Sequence, residues 1–210
     1  AVMGPDAADP YSRRLDLAPC TFPHAFHLGV TDVLEFCGDD EAARAFARAV
    51  VRLREMGGTP VAVSFEPLAG AAALLYESAL VAERYAAVRE FFDAHAASVI
   101  EPVRSIIGGG REYDAADLVQ AQTRLRAYGQ RADAMWERVD VLLVPTAPTH
   151  YTIAQMRADP VALNRNLGAY TNFVNLLDYA AISVPSAMRA DGLPFGFAGN
   201  TVARNYQDVE

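Results

Sequence analysis

The chain has 210 residues and 22.7 kDa, with 52% hydrophobic and 21% charged residues and a net charge of −8. That is enough for one domain over 1–210 with a substantial core, and it excludes wholesale disorder. The acidity argues against nucleic acid and against anionic membrane as partners, because both are bound through basic patches. All 18 basic residues are Arg and none is Lys. No residue of this chain can therefore act as a Schiff-base, phosphate-loop or general-base lysine, and Arg stays protonated and does not substitute. Two cysteines, Cys20 and Cys37, form no disulfide framework and fit a reduced, cytoplasmic setting. No apolar run is long enough for a membrane span, and the acidic start Ala1 to Asp6 does not read as a signal peptide.

Residues 1–38 are rich in turn formers, with a short strand candidate at Phe26-His27-Leu28-Gly29-Val30. Asp39 and Asp40 suit an N-cap. Ala42, Phe46, Ala49, Val50 and Leu53 then recur at helical spacing, so Glu41 to Met56 is expected as a helix that Gly57-Gly58 ends. Val61 to Val63 with Phe65 is a strand candidate, and the helix–turn–strand order suggests an α/β unit. Pro67 suits a helix start. Leu68 to about Ala97 is expected as one long helix, or two broken near Ser78. Pro102 opens a shorter helix that Gly108-Gly109-Gly110 stops. Asp114 caps a helix reaching about Val139.

The run Asp140-Val141-Leu142-Leu143-Val144-Pro145 is expected as a strand buried on both faces, followed by a loop from Thr146 to Thr152. A helix is expected over Val161 to Asp178. Ala181-Ile182-Ser183-Val184-Pro185 is a second buried-strand candidate, and Asp191-Gly192-Leu193-Pro194 is a turn. The fold class that follows is α/β, a mixed sheet flanked by helices.

Few constellations point to chemistry. Cys20, His24, His27 and Cys37 lie close in sequence. Their spacing is not that of a zinc finger, and in an extended segment successive ligands face opposite sides, so no metal site is expected. The seven serines include no nucleophile-elbow motif, and His24, His27, His95 and His150 are scattered. Tyr76 and Arg84, eight residues apart, lie about 80° apart in azimuth and about 12 Å along an unbroken helix. Both reach one small ligand only if the helix bends or breaks between them. A guanidinium suits bidentate carboxylate binding and a phenol adds a donor. Spacing alone equally allows Tyr76 as a core aromatic and Arg84 as the partner of a surface acid.

Several segments match a known pattern in order. Gly4-Pro5-Asp6-Ala7-Ala8-Asp9-Pro10 has the G-x-D-x-x-D-P form, Val139 to Pro148 reads VDVLLVPTAP, and Asn175 to Pro185 is followed by Asp191-Gly192-Leu193-Pro194-Phe195-Gly196. These resemble the amidase signature family over about residues 1–197. Asp9 to Arg13, Leu75 to Glu77 with Val81 to Tyr85, and Tyr170 to Asp178 resemble its allophanate hydrolase branch.

That resemblance implies cleavage of allophanate to ammonia and carbon dioxide, as in urea degradation, with neither metal nor organic cofactor. It implies that Tyr76 and Arg84 grip the substrate, with Arg84 on its carboxylate, and that Asn172 lies in a segment near the site. The family's Ser–cis-Ser–Lys triad precedes the G-x-D-x-x-D-P run, and this chain has no Lys and no adjacent serine pair. No catalytic residue is therefore assigned here. The expected partners are a small carboxylate or ureido substrate and the missing N-terminal catalytic half. Alternatively, the chain is a stand-alone, non-catalytic remnant binding a small carboxylate or a protein; a half left with bare sheet edges is expected to aggregate or form a homodimer, whereas a protein adapted to stand alone is expected to be monodisperse. Residues 198–210 are polar where the family continues as an apolar strand.

Overall fold

The computed structural model describes residues 5–12 and 24–202. Five strands form one mixed sheet in the order β2-β1-β3-β5-β4. Strands β1 (Phe26–Thr31), β2 (Gly58–Val63) and β3 (Val141–Pro145) run parallel, whereas β5 (Pro194–Val202) pairs antiparallel with β3 on one side and with β4 (Tyr179–Met188) on the other. The expected α/β architecture is thus present.

Helix α1 (Asp40–Glu55) carries the crossover from β1 to β2. Asp39 caps it by accepting from the Ala42 amide at 2.9 Å. Asp40 and Glu41 in the first turn and Arg52 and Arg54 in the last complement the helix dipole. The return to β2 passes through Gly57, whose φ is +104°. A Cβ there would stand 2.1 Å from the His24 carbonyl oxygen, so only glycine fits the turn.

Two-residue periodicity divides the core between the two faces of the sheet. Leu142 and Val144 point one way, onto Leu68 and Ala71 of α2 (Glu66–Glu77) and Phe173 of α8 (Asn172–Leu176). Leu143 points the other way, onto Phe26, Leu28, Phe195 and the Ala45–Phe46 stripe of α1. The apolar run of β3 is buried on both faces, as expected.

The other buried-strand candidate differs. Ala181 to Pro185 lies in β4, at the sheet's edge, and Ile182 is 66% exposed. An apolar run shows that a strand suits burial; it does not supply the layer that covers it. The turn at Asp191 to Pro194 joins β4 and β5. Strand β5 takes in Ala198 to Val202, a stretch of the sequence read only as polar.

The expected helix over Val161 to Asp178 is broken. Helix α6 (Ile153–Ala158) precedes it, within a stretch assigned no element. Helix α7 (Pro160–Leu167) ends at Gly168, and α8 starts afresh after Thr171. Helix α5 (Ala115–Asp133) opens on an Asp114–Asp117 capping box and gives way to a 3₁₀ turn at Ala134–Glu137, short of Val139.

The hairpin turn between β4 and β5 is anchored to α1 by a shielded ion cluster. Arg189, 7% exposed at its side chain, donates to Asp39 at 2.7 Å and to Asp191 at 2.8 Å. The Thr149 hydroxyl donates to Asp39 at 3.1 Å. Burial pushes the Asp39 carboxyl up, but Arg189, the Ala42 amide and Thr149 together hold it below the ordinary carboxylate value.

Candidate functional site

Tyr76 sits in the last turn of α2 and Arg84 in the first turn of α3 (Val81–His95). The chain breaks between them at Ser78. The extended backbone of Ser78 ends α2, and its buried hydroxyl donates to the Leu74 carbonyl at 2.6 Å and accepts from the Leu80 amide at 3.3 Å. This break is the condition under which the two side chains meet, and they do. The Arg84 guanidinium lies 5.2 Å from the centroid of the Tyr76 ring.

Helix α7 adds a residue that sequence reasoning missed. Asn164 donates its amide to the Tyr76 hydroxyl at 3.3 Å. The next residue, Arg165, pairs with Glu77 at 3.1 Å, which fastens α7 to the end of α2. Nothing in the sequence marked Asn164, because its role depends on two helices meeting across 88 residues.

Tyr76, Arg84 and Asn164 share a cavity of about 400 Å³. Its remaining wall is apolar, from α4 (Val103–Gly109) on one side and α6 and α7 on the other. Among the described residues no carboxylate lies within ion-pair distance of Arg84, whereas Arg165 is neutralised by Glu77. The cation facing this cavity is therefore available to an anion, and its planar fork suits a carboxylate.

Asn172 is not brought to the same cavity. It lines a neighbouring hollow of about 260 Å³, with Phe65, Glu77 and Tyr170. It also borders a third hollow beside β4, where the Thr146 and Ser183 hydroxyls stand 2.9 Å apart. Tyr76 lines both hollows, the one that holds Arg84 and the one that holds Asn172. The Asn172 amide lies tightly over Gly168, where a Cβ would stand 2.4 Å from Oδ1, so the glycine that ends α7 also makes room for it. Burial pushes the Tyr170 hydroxyl up in pKa. That hydroxyl accepts from the Glu35 amide at 2.6 Å and donates to the Glu35 carbonyl at 3.2 Å, which fixes the floor of the hollow.

Among the described residues no group of His, Cys, Asp and Glu is placed to hold a metal ion. Cys20 lies outside the described residues, and His27 stands 3.4 Å from Asp140. No helix is long and apolar enough to cross a membrane among those described.

Comparison with known proteins agrees with this picture. The model of the family described as Amidase matches residues 1–210. Urea amidolyase from Lachancea kluyveri is 39% identical over 191 residues, 90% of this chain and 10% of that protein. Urea amidolyase from Saccharomyces cerevisiae is 37% identical over the same span. The solved allophanate hydrolase of Kluyveromyces lactis superposes with a TM-score of 0.91 at 36% identity, covering 95% of this chain and 33% of that one. The chain thus spans about a tenth of the length of the curated relatives it matches. With its matched family model, its close relatives and its shared fold, the chain belongs to the amidase family.

Proposed function

We propose that this chain is the substrate-recognition part of an allophanate-hydrolysing amidase. The observation that carries the reading is the Arg84 guanidinium, stacked on Tyr76, without an acidic partner among the described residues, on the wall of a cavity. In this reading Arg84 receives the substrate carboxylate through two parallel hydrogen bonds. Tyr76, held by Asn164, adds a hydroxyl. Allophanate is a ureido acid, so its carboxylate and amide ends match a cation beside polar groups. Asn172 contributes from the adjoining hollow, toward the part of the substrate that is cleaved.

The cleavage step needs a nucleophile and a base. The amidase signature triad uses Lys as that base, and this chain has none. In the proposal the triad comes from a catalytic half outside residues 1–210. That half covers the bare edge of β4, next to Asn172, Thr146 and Ser183. The whole reaction releases ammonia and carbon dioxide in urea degradation, in the cytoplasm.

A titration of the ¹⁵N-labelled chain with malonate, a stable dicarboxylate of similar size, tests the recognition role. The expected result is a set of amide shifts centred on Tyr76, Arg84 and Asn164. Shifts confined to other faces of the molecule, or none, contradict it.

A further inference from the structure

Allophanate has no apolar part, yet most of the cavity that holds Arg84 is apolar. Val103, Ile106 and Ile107 of α4 face Met156 and Val161 from the α6–α7 pair across it. Val103 and Val161 remain 43% and 42% exposed, so the greasy wall opens on solvent rather than closing into core. Arg84 and Asn164 line the same cavity as these side chains. A lone cation beside an unfilled apolar surface is the recognition pattern for an amphipathic anion, in which the charge fixes orientation and the tail supplies burial.

We propose that this cavity accepts carboxylic acids bearing an apolar tail, with the carboxylate on Arg84 and the tail between α4 and α6–α7. The ligand class comprises short-chain aliphatic monocarboxylates. The inference rests on the carboxylate grip proposed above and extends it to the rest of the cavity. At roughly 30 Å³ for each water-sized group, a carboxylate with about four to six carbons occupies about half of the space. Each methylene moved from water onto that wall strengthens binding by about two- to four-fold, the lower figure applying near the open rim.

Calorimetric titration of the 210-residue chain with acetate, butanoate, hexanoate and hexanamide tests this. The expected result is affinity rising from acetate to hexanoate by about ten-fold or more, with hexanamide far weaker than hexanoate. In Ile106→Asn the gain per added methylene is expected to fall below about two-fold. Equal affinity for acetate and hexanoate overturns the apolar-tail inference and leaves the carboxylate grip standing. Hexanamide binding as tightly as hexanoate overturns the grip itself. Failure of all three acids to bind overturns both.

Discussion

Replacing Arg84 by Ala is expected to weaken malonate binding by roughly ten- to a hundred-fold, the size of a lost charged, bidentate hydrogen-bond pair. The fold is expected to survive. Arg84 makes no ion pair among the described residues, and its stacking on Tyr76 is a partly exposed cation–π contact of under about 1 kcal/mol. Arg84→Lys separates charge from geometry. It keeps the positive charge but loses the planar fork, so an intermediate affinity is expected. Calorimetry on both variants checks the order wild type, Lys, Ala. Affinity unchanged in Arg84→Ala removes the residue from the site.

The second large effect concerns stability. Arg189→Met is expected to destabilise the chain by about 2–3 kcal/mol at neutral pH, because it strands the shielded Asp39 carboxylate that also caps α1. For a chain of this length that corresponds to a melting temperature lower by roughly 5–10 °C. The pH dependence has a definite sign. Asp39 has its pKa lowered in the folded state, so its contribution is fully present above the ordinary carboxylate value of 3.8. It fades as pH falls below that value and through the lowered folded pKa. The gap between wild type and Arg189→Met is therefore expected to be largest at neutral pH and to narrow below pH 3.8. Thermal melts across that range check it. A gap independent of pH would mean that the arginine acts through packing alone.

Much of this architecture was legible because local chemistry and burial agreed. Asp39 and Asp114 announced their helices as caps, and both side chains accept from amides three residues on. The β3 run announced a two-faced strand. The sequence left open one long helix or two broken near Ser78; the break is what forms, and it turns Tyr76 and Arg84 from residues on neighbouring faces into a stacked pair.

The failures have equally local causes. In the 161–178 stretch, helical spacing of apolar residues masked Gly168 and Thr171, which stop α7 and restart the chain as α8. Strand β5 was hidden because its second half is polar. It forms through pairing with β3 and β4, which is information held elsewhere in the chain. The exposure of β4 could not be read from its own apolar run.

The candidate site divides in the same way. Tyr76 and Arg84 came from family resemblance, and geometry supplied a reason for their cooperation. Asn172, named with them, belongs to a separate hollow that Tyr76 also lines. Asn164 emerged only when α7 was seen against α2. The apolar wall opposite Arg84 was invisible for a similar reason: its residues come from three short helices spaced along the chain.

Ammonia release from allophanate, assayed for the 210-residue chain alone and after mixing with a lysine-bearing amidase segment, tests the central claim most directly. The account predicts no release by the chain alone, and release in the mixture that depends on Arg84. Release by the chain alone would contradict it, because a chain without lysine would then hold its own nucleophile and base.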